Sequence, residues 1–100
     1  MLSLKQGVSV SDLQPQIVLG LLVANSVFSR YAKSVVVTSG SDGQHMAGSL
    51  HYSGNAVDLR SHDLLPQTLN RIVLDLRSAL GRDFDVFIES DHIHLEYDPK

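Results

Sequence analysis

The sequence predicts an α+β domain: a small antiparallel sheet with two helices packed on one face and a cleft on the other. Three observations carry this. Two stretches repeat apolar residues at helical spacing, and four short runs read as strands bounded by turn residues. Alternation in the later strands also sets histidines and carboxylates on the side opposite the apolar residues.

Ser11-Asp12-Leu13-Gln14 has the form of a capping box, and Pro15 falls in the first turn. Leu13, Ile17, Leu21, Phe28 and Tyr31 then recur at near-helical spacing, which predicts a helix from about Asp12 to Tyr31. Val35-Val36-Val37-Thr38 is a β-branched strand that ends at Ser39-Gly40. Residues 40 to 54 are loop-like, punctuated by Gly40, Gly43, Gly48 and Gly54. Ala56 to Arg60 reads as a second strand. Asp63 precedes a second helix with an apolar stripe of Leu65, Leu69, Ile72, Val73, Leu76 and Leu80, closed by Gly81. Phe84 to Glu89 and His92 to Tyr97 are the closing strands, joined tightly through Ser90-Asp91. The pattern is α-β-β-α-β-β, and no repeat or linker divides it, so residues 1–100 form a single domain.

Composition narrows the function. The formal charge is -3 and the basic residues are scattered, so the electrostatic footprint of a nucleic-acid binder is missing. No apolar run approaches the roughly 20 residues that span a bilayer, so no membrane insertion is expected. Met1 to Val10 lacks a basic stretch, apolar core and cleavage site, which predicts a chain made in the cytoplasm without a secretory signal. Cysteine is absent, which removes thiolate metal sites, disulfides and a cysteine nucleophile. Oligomeric state is left open.

What remains is a nitrogen-and-oxygen ligand set. His51 and Asp58 lie on a loop and the strand it enters, with Gly54 permitting a sharp approach, and His94 supplies a third ligand. By strand alternation Asp58, Arg60, His92, His94 and Glu96 fall on the face away from Val57, Leu59, Ile93 and Leu95. Three ligands leave a fourth zinc position for water, whose pKa zinc brings to about 7, so amide hydrolysis is chemically reasonable. A peptidase also needs a carboxylate to move the proton of the attacking water. Asp91 is the first choice, and Glu89 takes the role if the turn at Ser90-Asp91 directs it inward. His45 and His92 are placed to polarise the scissile carbonyl or to bond the developing oxyanion. His92 alternatively orients a ligand or is a solvated strand residue. Ser49 is structural or hydrogen-bonds within the site. His62 has no role.

The segment Ser49-Leu50-His51-Tyr52-Ser53-Gly54-Asn55-Ala56-Val57-Asp58 resembles the Ser-x-His-x-x-Gly-x-Ala-x-Asp motif of the zinc DD-peptidase and hedgehog superfamily. Val37-Thr38-Ser39-Gly40 looks like the strand entering that site, and Asp91-x-x-His94 resembles its Asp/Glu-x-x-His element. Ser49-Leu50-His51-Tyr52 and His92-Ile93-His94 are especially similar to the hedgehog zinc site, and His45 matches a histidine beside it. The resemblance covers about two thirds of the chain, roughly Val35 to Glu96.

It implies a zinc peptidase acting on peptidoglycan stem peptides, of DD-carboxypeptidase, dipeptidase or L-alanyl-D-glutamate endopeptidase type. Its zinc ligands would be His51, Asp58 and His94, and its base Asp91. It also implies a phage endolysin or virion-associated lysin, brought to the bacterial cell wall by a holin or a tail. Many bacterial members have an Arg shortly after Thr-Ser-Gly that holds a substrate carboxylate, whereas Ser41-Asp42 stands here. Arg60 is a replacement cation or a plain surface ion pair. The alternative is a non-catalytic zinc-binding structural or interaction module, for example a phage virion component.

Overall fold

Alternating side chains build the sheet, and Pro-led segments build the helices that cover it. The computed structural model describes residues 1–11, 13–40 and 54–100. In chain order these form β1 (Leu2–Leu4), α1 (Pro15–Ser29), β2 (Val35–Ser39), β3 (Ala56–Arg60), α2 (Pro66–Leu80), β4 (Phe84–Ile88) and β5 (His92–Tyr97). The strands make one sheet in the order β1-β2-β3-β5-β4. The α+β class is as expected, but the sheet is mixed and has five strands, because β1 pairs with β2 in parallel. The remaining pairings are antiparallel. A three-residue edge strand has too few positions to show a period, so β1 left no sequence signal.

One face of the sheet is the core. Val35 and Val37 of β2, Val57 and Leu59 of β3, Val86 of β4, and Ile93 and Leu95 of β5 pack with the inner faces of both helices. From α1 come Ile17, Leu21, Ala24, Val27 and Phe28, and from α2 Ile72, Val73 and Leu76. Because side chains alternate, burying Val57, Leu59, Ile93 and Leu95 forces Asp58 and His94 onto the opposite face.

Both helices start at proline, which pre-sets φ and lacks the N–H that a first turn would leave unpaired. For α1 this overrides the expected start near Asp12. Gln14 is the cap residue and makes no side-chain capping bond, Asp12 lies outside the described residues, and Ser11 Oγ sits 3.2 Å from Ser9 Oγ. The Gln14 N–H donates instead to the Gly54 carbonyl at 2.9 Å, tying the helix entry to the chain that leads into β3. The helix ends at Ser29, and Tyr31, beyond its end, still packs on the core and donates its hydroxyl to Asp75 of α2. Leu65 caps α2 and is 73% exposed, so it does not belong to the apolar stripe. Gly81 ends α2 as expected, at φ 82, with its N–H on the Arg77 carbonyl at 3.1 Å.

Two details position the open face. The β2–β3 register shifts between Val37 and Ser39, so Ser39 rather than Thr38 is paired with Asp58, and the Thr38 hydroxyl donates to the Asp58 carbonyl at 3.4 Å. The Arg77 guanidinium donates to the Val86 carbonyl at 2.7 and 3.1 Å, holding edge strand β4 against α2. The β4 strand stops at Ile88, and the Glu89 N–H then closes the turn on the His92 carbonyl at 2.9 Å.

Candidate metal centre

Strand register lays the open face out as a grid. Arg60 pairs with His92 and Asp58 with His94 between β3 and β5. Phe87 pairs with His94 and Asp85 with Glu96 between β4 and β5. One row is therefore Arg60, His92 and Glu89, and the next is Asp58, His94 and Phe87.

At the centre, His94 lies between two carboxylates. Its Nδ1 is 3.0 Å from Asp58 Oδ1 and its Nε2 is 3.0 Å from Glu96 Oε1. Ionised carboxylates only accept, so both bonds form together when the ring carries two protons. The hydrogen bond and charge of Asp58, with the charge of Glu96, accordingly raise the His94 pKa above its ordinary value, against the opposing effect of burial.

Glu89 completes the group. Its Oε1 lies 3.8 Å from His94 Nδ1 and 3.5 Å from His92 Nε2. Asp58, Glu89 and His94 each turn one ligand atom to a common point, all within 4.8 Å of one another, and the three together could hold a metal ion. The donor chemistry fits. Two carboxylates this close repel unless a cation or shared proton lies between them. Imidazole and carboxylate donors suit zinc and similar divalent ions, and the Glu96 carboxylate on the far nitrogen is the kind of outer partner that fixes a ligating histidine.

Asp91, the first-choice base, is placed differently. Its carboxylate turns to His92, with Oδ1 2.9 Å from Nδ1, and its side chain is 73% exposed. The bond to His92 lowers the Asp91 pKa below the usual carboxylate value. Its carbonyl accepts from the Ser61 N–H at 3.2 Å, which fixes the start of β5 beside the end of β3. His92 is thereby held with Nε2 toward the centre, 3.6 Å from Asp58 Oδ1. Arg60 lies on the same face, with a buried Nε that has no hydrogen-bond partner. His45, Ser49 and His51 lie outside the described residues. Among the described residues no pocket is present, and they do not show the expected cleft.

Two features escaped the sequence reading. Alternation puts Glu96 beside His94, but its contact with Nε2 depends on side-chain direction that spacing does not give. A second acidic group, Asp85, Glu96 and Asp98, lies along the same sheet. The Lys100 ammonium rests on it, 3.0 Å from Asp85 Oδ2 and 2.9 Å from the Asp98 carbonyl.

Among the described residues, no helix is long and apolar enough to cross a membrane. No family model matches the chain, and no curated protein matches it.

Proposed function

We propose that the protein is a zinc-dependent peptidase that hydrolyses peptidoglycan stem peptides at the Asp58, Glu89 and His94 group. The observation that carries the reading is His94 held between Asp58 and Glu96, with a further carboxylate, Glu89, at the same point. The resemblance of residues 49–58 and 91–94 to the zinc DD-peptidase and hedgehog superfamily supports it from the sequence. Asp58 and His94, among the described residues, would ligate the zinc, with His51 as the third ligand.

Zinc bound there supplies a Lewis acid that polarises a carbonyl and lowers the pKa of a water. The chain's own residues do the rest. Glu89 accepts the proton of the attacking water as its oxygen bonds to the carbonyl carbon, and returns that proton to the nitrogen as the C–N bond breaks. Glu89 suits this better than Asp91, because its oxygen belongs to the central group whereas Asp91 is engaged with His92. His92, oriented by Asp91, turns Nε2 inward and can donate to the carbonyl oxygen as negative charge develops. Glu96 keeps the His94 ring in one orientation.

The test is digestion of purified peptidoglycan by zinc-loaded protein, with Glu89→Gln and Asp91→Asn as controls and products identified by mass spectrometry. New peptide termini made by the wild type and lost in Glu89→Gln, by roughly 10² to 10⁴ in rate, are expected. Sacculi left intact by a protein with confirmed zinc would instead favour a non-catalytic zinc module.

A further inference from the structure

The two edges of the sheet are finished differently. At the β4 edge the Arg77 guanidinium holds the Val86 carbonyl, and Asp85 within the strand, with Asp83 and Glu89 at its ends, adds charge. The other edge is β1, Leu2-Ser3-Leu4, which has neither a charged residue nor a proline. The Val35 N–H donates to the Met1 carbonyl at 2.8 Å, and the Lys5 N–H donates to the Val37 carbonyl at 2.9 Å. Alternate residues of a parallel strand bond the neighbour, so Met1, Ser3 and Lys5 face β2 while the N–H and C=O of Leu2 and Leu4 point outward. Those four groups have no partner among the described residues. Although β1 is short, an edge without charge, proline or cover is a template for another strand.

Apolar surface continues from this edge onto α1. Met1 is 80% exposed and Leu4 47%. Helix α1 packs on β1, β2 and β5, whereas α2 packs on β4. A Cβ on Gly20 would meet Phe84 and Leu95, so that flank of α1 is turned toward β4. At about 100° per residue, Val18 and Leu22 fall roughly 160° around the helix from Gly20, on the flank toward the β1 edge. They are 46% and 56% exposed, and none of the 15 residues of α1 is charged. Helix α2, of the same length, exposes Gln67, Asn70, Arg71 and Ser78 around Leu74. A helix that is apolar all round belongs in a covered position.

We propose that a second copy of the chain covers this edge, its β1 paired antiparallel with this β1 about a two-fold axis at Ser3. Leu2 then lies opposite Leu4 of the partner subunit, and each such pair exchanges two backbone hydrogen bonds. A two-fold contact sets the same patch against itself, which an uncharged strand permits and the acidic β4 edge opposes. At these exposures Met1, Leu4, Val18 and Leu22 offer roughly 400 Å² of apolar surface, the size of a monomer's largest patch. Homodimer interfaces are about 65% apolar, so this corresponds to roughly 600 Å² per copy and about 1,200 Å² in all, enough for a stable interface. Asp58 and His94 lie on the third and fourth strands from this edge, so the dimer leaves the metal centre uncovered and does not depend on the peptidase reading.

The test is sedimentation of the untagged full chain from micromolar to sub-millimolar concentration, with amide hydrogen exchange on the same samples. A dimer is expected, its Leu2 and Leu4 amides protected when paired and exchanging freely on dilution. Leu4→Pro removes an outward N–H and no bond to β2, and should weaken the dimer about tenfold or more. Val18→Glu puts a charge on the flank of α1 without touching β1, and should have a similar effect. Leu19→Glu, on the top of α1, should leave the dimer intact. Should Leu4→Pro fail to fold, Val18→Glu and the wild-type exchange pattern decide the matter. A wild type that is monomeric throughout, a dimer indifferent to Val18→Glu, or a dimer whose Leu2 and Leu4 amides stay unprotected would overturn the proposal. Dissociation by Leu19→Glu but not by Leu4→Pro would overturn it too, by placing the contact on the top of α1.

Discussion

Asp58 Oδ1 lies 3.0 Å from His94 Nδ1, and the two residues are direct cross-strand partners in β3 and β5. The contact follows from the core beneath it. Val57 and Leu59, fully buried, flank Asp58, and Ile93 and Leu95, also fully buried, flank His94. A one-residue slip of either strand would turn its apolar residues to the open face, so the packing energy of the core fixes the register of the site.

Glu96→Ala removes the partner of His94 Nε2 and leaves Asp58 and Glu89 in place. Zinc affinity should fall about 10- to 100-fold, the usual effect of losing such an outer carboxylate, while the fold is retained. Competition with a chromogenic chelator measures this. Unchanged affinity would show that Glu96 does not hold the ligand.

The proton on His94 makes the metal-free protein pH-dependent. Its folded-state pKa is raised above 6.5, chiefly by the hydrogen bond to Asp58. The folded state therefore holds this proton more tightly than the unfolded chain. That contribution is complete below about pH 6.5 and is lost as pH rises through the raised folded-state value. Thermal melts of chelated protein should show His94 stabilising the wild type relative to His94→Gln at pH 5.5 and less so at pH 8.5. Zinc bound at His94 would replace the proton, so zinc-dependent stabilisation should run in the opposite direction, growing with pH. A difference between the two proteins that rises with pH in chelator would contradict the first expectation.

Leu95 lies between His94 and Glu96 in sequence and points into the core, fully buried. Leu95→Ala should lower stability by about 2–5 kcal/mol, from lost burial plus the cavity left behind. Denaturant titration gives the value. A cost below about 0.5 kcal/mol, the range of ordinary surface substitutions, would mean that β5 is not packed as described.

Ala32 holds a left-handed conformation, φ 55, where the chain turns from α1 toward β2. A Cβ is disfavoured there, so Ala32→Gly should stabilise the protein by up to about 1 kcal/mol. A lower melting temperature would place strain elsewhere in that turn.

Much of this arrangement is legible in the sequence because alternation is a local rule. The Ala56–Arg60 and His92–Tyr97 strands, and the shared face of Asp58 and His94, follow from period two alone. Extending the same alternation past Ile88 would have set Glu89 on the open face with Phe87. Asp91 is the nearer carboxylate to His94 in sequence, and a turn residue need not obey strict alternation. The start of α1 is set by Pro15 rather than by the capping-box pattern before it, because proline pre-sets the first-turn φ. The parallel pairing of Leu2–Leu4 with Val35–Val37 joins residues more than thirty apart, which no local pattern reports.

The most direct measurement is a crystal structure of the zinc-soaked protein with anomalous data at the zinc edge. One strong peak is expected, bound by Asp58 and His94, with Glu89 beside it and Glu96 still on the far nitrogen of His94. A peak on Asp85, Glu96 and Asp98 instead, or none at His94 in a crystal soaked to saturation, would contradict it.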